Sequence, residues 1–242
     1  MVVAAQITAD KGAHMKVAVL GTGTVGRAIA ARLAGLDHDV VIGTRDAEAT
    51  LARSVSDAMG NPPFAQWHAE HEQVGLVDFA DAGTHGEIVI NATSGAGSVA
   101  ALEAVGAGNL AGKVVVDVAN PLDFSHGMPP RLFVADTDSL AEQIQRALPE
   151  ARVVKTLNTM NAHVMVDPSR VPGAHTVFVC GDDEDAKATV KELLAEFGWS
   201  GEAILDLGGL RAARGTEMYL PLWLSLWGAL GTGDFNIKVV RA

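Results

Sequence analysis

Glycines at 21, 23 and 26 follow the apolar run "KVAVL" and open the run "VGRAIAARLAGL", so that the turn between them reads "GTGTVG". G-x-G-x-x-G between a strand and a helix is the spacing of a dinucleotide-binding turn. The three glycines serve different ends. Gly21 permits the tight turn, Gly23 lets the main chain approach a pyrophosphate, and Gly26 lets helix and strand pack closely. The phosphates then meet N–H groups that have no partner inside the helix, together with the positive end of the helix dipole. The bare pattern is weak in a chain with 26 glycines. Its setting makes it specific, because the helix after it carries an apolar stripe at Val25, Ile29 and Leu33.

The next strand ends "VVIGTRD", with Thr44 and Arg45 where an NAD site needs an acid for the ribose hydroxyl. A hydroxyl and a guanidinium suit a 2′-phosphate, and the arginine plane also stacks on adenine. NADP(H) is therefore the expected nucleotide. Asp46 follows at once and leaves an NAD reading open. Three further strand ends, "NATSGAG", "ANPLDF" and "LNTMNAH", are small, polar or turn-forming, as a nicotinamide and ribose pocket requires. The first also reads as a plain turn with Thr93 or Ser98 capping a helix.

Catalytic side chains are not evident. His126, His163 and Asn158 are candidates by location only. The chain has neither a G-x-S-x-G elbow nor a Walker loop. "HAEH" at 68–71 lacks a third ligand and "GDDEDAK" reads as a charged helix start, so no metal site is expected. Hydride transfer between two redox cofactors fits this set, since it needs alignment and exclusion of water rather than an acid or base.

These residues must be positioned by alternating elements. Strands are expected at Val17–Leu20, Val40–Ile42, Ile88–Asn91, Val114–Val118, Val153–Thr156 and Thr176–Cys180, with a weaker one at Gly75–Asp78. Helices are expected at Val25–Leu36, Ala47–Met59, Val99–Ala107 and Ser139–Leu148. Near-continuous apolar strands alternating with helices imply an α/β fold, a doubly wound parallel Rossmann sheet. After residue 155 come a charged helix from "GDDEDAK", a short strand "EAILDLG", a helical stretch from about Leu210 to Leu230 and a terminal "FNIKVV". The expected organisation is a mobile extension over 1–14, an NADP-binding domain over 15–155 and a smaller α/β acceptor-binding domain over 156–242.

Hydrophobic residues make up 48% and charged residues 19% of 242 positions, with a formal net charge of −11. No basic stripe accompanies that charge, which argues against a nucleic-acid partner. The single cysteine, Cys180, excludes an internal disulfide and reads as a small core residue. "YLPLWLSLWGAL" is too short to span a bilayer and reads as a buried helix. A soluble, cytoplasmic protein without membrane partners is expected.

"GTGTVG", "IGTRD", "FVCGDDEDAK" and the tail "LPLWLSLWGALGTGDFNIKVV" together resemble the deazaflavin-dependent NADP oxidoreductases, which pass hydride between NADP(H) and coenzyme F-420. "VVKTLNTMNAH" and "LDLGGLRAARGTEMYLPLWLSLW" are also similar to the cytosolic reductase domain of STEAP-type metalloreductases, which hand electrons from NADPH to a flavin. The resemblance implies that Thr22, Gly23, Thr24 and Val25 hold the pyrophosphate and Thr44 and Arg45 the 2′-phosphate. It places Ala92, Thr93, Asn120 and Pro121 beside the nicotinamide, and Asn158, Thr159 and Met160 where cofactor and deazaflavin meet. It implies that the Gly231–Gly233 turn closes the acceptor pocket, and that a homodimer forms through the Trp223–Leu230 helix, for which a buried core helix is an equal account. Two departures stand out. The helix after "TRD" reads "AEATLA" and lacks the family's second basic residue, with Arg53 further on; and "TSG" replaces a proline and a large aromatic after the fourth strand. A flavin (FMN, FAD or riboflavin) as acceptor, and a non-catalytic NADP(H)-binding regulatory protein, are the alternatives.

Overall fold

A computed structural model describes residues 14–56 and 60–241. All but His14 of the expected N-terminal extension lies outside them. Among the described residues ten strands are present: β1 (Lys16–Leu20), β2 (Asp39–Thr44), β3 (Gly75–Asp78), β4 (Ile88–Asn91), β5 (Val114–Asp117), β6 (Leu122–Asp123), β7 (Arg131–Leu132), β8 (Arg152–Thr156), β9 (Val177–Gly181) and β10 (Ile204–Asp206). The helices are α1 (Thr24–Ala34), α2 (Ala47–Ala52), α3 (Phe64–Ala69), α4 (Phe79–His85), α5 (Gly95–Val105), α6 (Ala107–Leu110), α7 (Leu140–Ala147), α8 (Ala162–Val166), α9 (Glu184–Phe197), α10 (Ala213–Met218) and α11 (Leu220–Leu230).

Eight strands form one sheet in the order β10-β9-β8-β5-β4-β1-β2-β3, while β6 and β7 pair as a separate ribbon. All neighbours in the large sheet are parallel except β8 and β9, which run antiparallel. The chain after residue 155 thus adds β9 and β10 to the same sheet. Alternate residues of each strand face opposite layers. Val17, Val19, Val116 and Val154 pack with Ile29, Leu33 and Val190 on one side; Ala18, Leu20, Val115 and Val153 pack with Ala82, Leu102 and Ile144 on the other. The strand order reverses beside β1, where the chain goes to β2 on one flank and β4 lies on the other, and an open α/β sheet binds its ligand at such a switch point.

Three helical expectations change. The helix expected over 47–59 stops at Ala52, where Arg53 turns extended (φ −69°, ψ 119°); "RSVS" favours local side-chain bonds over helix. Residues 57–59 lie outside the described residues. The stretch from 210 to 230 breaks into a 3₁₀ turn, α10 and α11, because Pro221 cannot donate to the carbonyl four residues back. The buried helix expected at 219–230 is instead mostly open to solvent. Leu220 is its one buried residue, while Leu222, Trp227 and Leu230 are 56, 38 and 56% exposed. It is apolar on every face, and the fold covers only part of it. The terminal "FNIKVV" makes one backbone bond to β9's start, Thr176 N–H to Ile237 O at 2.8 Å, and is otherwise tied there by side chains.

The start of α7 is held by charge as well as by its Ser139 cap. Asp138 accepts two bonds from Arg146, at 3.0 and 2.7 Å, and Arg214 grips Glu142 at 2.8 and 2.7 Å. The Arg146 fork holds the Asp138 carboxyl at about 2, below its ordinary 3.8. A depressed acid contributes stability above its unfolded pKa and loses it as pH falls through the folded one. Asp138→Asn is therefore expected to flatten the fall in thermal midpoint between about pH 4 and pH 2. An unchanged acid limb in pH-resolved melting curves would contradict this.

Candidate active site

Two hollows open along the carboxyl edge of the sheet. The first, about 790 Å³, is lined by Gly21, Thr22, Gly23, Thr44, Arg45, Asp46, Ala49, Thr50, Arg53, Phe79, Ala92, Thr93 and Ser94. The second, about 410 Å³, includes Val25, Ala92, Thr93, Ser94, Asn120, Asp123, Phe124, Asn158, Met160, Met165, Leu220 and Trp223. Ala92–Ser94 is common to both.

The glycine turn has the geometry its sequence demands. Gly21 sits at φ +115°, and a Cβ there would lie 2.6 Å from Ala92 O. A Cβ on Gly26 would lie 2.0 Å from Gly21 O, so only hydrogen fits between turn and helix. Around Gly23 nothing lies within 4 Å of a Cβ position, and no side chain caps α1 there. The start of α1 thus has no side-chain cap and has room beside Gly23, as a pyrophosphate requires. Arg27 braces the turn from behind, donating to Thr22 O at 2.8 Å and Pro62 O at 2.7 Å.

At the end of β2, Thr44 Oγ1 lies 3.0 Å from Thr50 Oγ1. Asp46 caps α2 by accepting from Ala49 N–H at 2.8 Å. Its carboxylate is engaged by the helix start, which weakens the NAD alternative that Asp46 had left open.

The second hollow is set by amides. Asn120 Nδ2 donates to Asn158 O at 2.8 Å, and Asn158 Nδ2 donates to Asn120 Oδ1 at 2.9 Å, clasping the loops after β5 and β8. Leu157, just before the clasp, is held at φ +61°, a costly conformation for leucine that only a well-determined surrounding maintains. Thr93 Oγ1 donates to Asn91 Oδ1 at 2.7 Å, and Asn91 Nδ2 donates to Asp117 at 2.8 Å. Behind Asp117 lies Lys155, wholly buried, with Nζ 2.8 Å from both Asp117 Oδ2 and Glu217 Oε1. Glu217 in turn accepts from the N–H groups of Leu140 and Ala141 at the start of α7. Burial alone would lower the Lys155 pKa; the two carboxylates outweigh it and hold the ammonium charged. Burial pushes the Glu217 carboxyl up against the pull of Lys155, and pushes the neighbouring Cys180 thiol to about 12.

Of the residues expected at the site, Gly21, Thr22, Gly23, Thr44, Arg45, Ala92 and Thr93 line the first hollow, and Val25, Ala92, Thr93, Asn120, Asn158 and Met160 line the second. Four line neither. Gly26 packs under the turn, Pro121 abuts Gly95, and Thr159 is buried at 2% exposure. Thr24 faces a separate hollow behind α1, shared with His163, where its hydroxyl accepts from Asn61 at 2.6 Å. The Gly231–Gly233 turn packs beside Asn161 rather than lining the second hollow. His68 and His71 are engaged by backbone carbonyls, and His71 stacks on Trp67. Among the described residues no group of three or more His, Cys, Asp or Glu side chains converges as metal ligands would. Sequence reading missed Trp223, Leu220 and Phe124 in the second hollow, and the Asp117–Lys155–Glu217 cluster beneath it.

Residues 16–121 match the model of the family described as NADP oxidoreductase, coenzyme F420-dependent. The chain is 31% identical over 216 residues to an F420-dependent NADP reductase of Methanothermobacter marburgensis, covering 88% of this chain and 92% of that protein. The chain belongs to this family. It is an NADP-dependent oxidoreductase with a Rossmann-type nucleotide-binding fold. A crystal structure of an Arthrobacter sp. FB24 protein, proposed as an F420-dependent NADP reductase, superposes with a TM-score of 0.88 at 60% identity, covering 94% of this chain and 100% of that one. Rat metalloreductase STEAP3 is 30% identical over 212 residues, which is 86% of this chain but 38% of that protein. No helix among the described residues is long and apolar enough to cross a membrane.

Proposed function

We propose that this oxidoreductase transfers a hydride between NADP(H) and a deazaflavin of the coenzyme F-420 type. The observation that carries the reading is the shared floor Ala92–Ser94, which joins the nucleotide cleft to a hollow whose lining, among the described residues, holds one ionisable side chain, Asp123. The names of the marburgensis and Arthrobacter relatives favour the same acceptor. The two cofactors supply the redox chemistry, a hydride passing between C4 of the nicotinamide and C5 of the deazaflavin.

The protein's share is to bind, align and dry the site. Main-chain N–H groups of the Thr22–Val25 turn take the pyrophosphate, and Thr44 with Arg45 takes the 2′-phosphate. Ala92, Thr93 and Asn120 border the nicotinamide, with Pro121 packed behind them against Gly95, and the Asn120–Asn158 clasp fixes their spacing. Met160, Met165 and Trp223 give the second ring an apolar bed, with Thr159 packed behind. Residues 15–155 act as the nucleotide half and 156–242 as the acceptor half. The exposed Leu222, Trp227 and Leu230 of α11 fit a second copy of the chain, so the working form is a homodimer.

The test is anaerobic mixing of enzyme and NADPH with coenzyme F-420, FMN, FAD or riboflavin, followed by loss of absorbance at about 340 nm, a signal that belongs to the reduced nicotinamide. Turnover with the deazaflavin supports the proposal. Turnover with flavins alone replaces it by the flavin-reductase reading, and tight NADPH binding without turnover replaces it by a regulatory binder. Arg45→Ala is expected to weaken NADPH by roughly 10- to 100-fold, the worth of its charge-assisted bonds, and NADH far less. Equal losses in titration calorimetry would remove the 2′-phosphate assignment.

A further inference from the structure

The first hollow holds one cation more than the motif at the end of β2 supplies. We infer that Arg53, at the far end of α2, is a second ligand for the 2′-phosphate of NADP(H), replacing the basic residue absent from "AEATLA". The inference rests on the NADP(H) reading above.

Three observations carry it. Arg53 closes α2 with an extended backbone, and its side chain folds back along the helix so that Nη2 donates to Thr50 Oγ1 at 2.7 Å. Thr50 Oγ1 in turn lies 3.0 Å from Thr44 Oγ1. Residues three apart share a helix face, so Arg53, Thr50 and Thr44 form one wall, and all three line the hollow with Arg45.

The second observation is the charge count. The charged side chains in that lining are Arg45, Asp46 and Arg53. Asp46 is fixed by its cap to Ala49 N–H and sets a negative charge against any phosphate there. Without Arg53 the lining would be neutral in a chain of net charge −11; with it the lining carries one net positive charge. A phosphomonoester brings about −1.5 to −2 at neutral pH, so a neutral lining would leave it uncompensated.

The third is capacity. A guanidinium has five N–H donors. Among the described residues the Thr50 bond is the one Arg53 makes, so its fork can engage phosphate oxygens without leaving the threonine that aims it. Such a contact touches only the phosphoryl group that distinguishes NADPH from NADH. Arg53 is therefore a specificity residue.

Titration calorimetry of NADPH and NADH against the native protein, Arg53→Ala, Arg53→Lys and Arg45→Ala at fixed salt tests this. Arg53→Ala is expected to weaken NADPH about tenfold and leave NADH within about twofold, with lysine restoring part of the loss. Equal losses for both nucleotides would mean that Arg53 only supports the fold of α2, and no loss for either would mean that it touches neither; both overturn the inference. If Arg45→Ala removes the preference for NADPH and Arg53→Ala does not, the Arg53 assignment alone fails. If the native protein shows no such preference, the NADP(H) reading fails with it.

Discussion

Alanine in place of Gly95 is expected to slow turnover by about 10²-fold while NADPH binding changes little, the scale of loss that follows a misplacement of about 1 Å. Gly95 opens α5, directly against the loop after β5. A Cβ there would lie 2.0 Å from Asn120 O, 2.8 Å from its carbonyl carbon and 3.1 Å from Pro121 Cα. All three are main-chain atoms, so no side-chain rotation relieves the clash. Asn120 must move, and with it the clasp to Asn158 that sets the width of the second hollow. On the proposed reading the adenosine half of the nucleotide occupies the other hollow, whose lining Gly95 does not join, so most of the binding energy is kept. Gly97→Ala is the control, two residues along the same helix, where the nearest atom to a Cβ is Ser94 Oγ at 3.4 Å. Steady-state rates with parallel calorimetry separate the effects; unchanged turnover in Gly95→Ala would mean that the clasp does not position the reactants.

Lys155→Met is expected to cost about 3–5 kcal/mol of stability, the range measured when one partner of a buried ion pair is removed. At about 2–4 °C per kcal/mol for a chain of this size, the midpoint falls by roughly 6–20 °C. The cause is what stays behind. Asp117 and Glu217 are 0 and 1% exposed and face one another across the vacated ammonium. Asp117 keeps Asn91 Nδ2 and Ala119 N–H, and Glu217 keeps the N–H groups of Leu140 and Ala141, but neither keeps a counter-charge. Adding Glu217→Gln to Lys155→Met removes one buried negative charge and is expected to recover part of the loss. Melting curves that place Lys155→Met level with the native protein would show that the cluster contributes nothing net.

The lining of the first hollow was legible in the sequence because its signals are local. Gly21, Gly23 and Gly26 meet needs set within one turn, and the apolar runs at β1, β4 and β5 are short, continuous and bounded. Thr44 and Arg45 follow from strand position alone. The acceptor half was less legible because its contacts are long-range. Nothing near residue 223 announces that Trp223 will line the same hollow as Ala92, and a tryptophan-rich apolar run reads as core whether or not the fold covers it. Lys155 did leave a trace, a charge inside "RVVKT" where every neighbour after the first residue of the strand is buried. Its partners, Asp117 and Glu217, come from other elements and could not be named from spacing. Arg53 could be named from the sequence but not placed: the role inferred for it depends on α2 stopping one residue earlier, a boundary that propensity does not fix.

The reversal of β9 has a consequence for how such a protein can change over generations. Because β9 runs against β8, the chain makes its last crossing toward the edge where the first glycine turn lies, and Leu220 and Trp223 arrive there from the end of the sequence. The tail follows, with Phe235 stacked on Trp223 at 5.4 Å. The closing stretch of the gene thus adds two apolar walls, Leu220 and Trp223, to a second hollow otherwise lined by residues 25–165. Substitutions at those two positions can reshape the second hollow while the lining of the first, which has no residue beyond Ser94, is left intact.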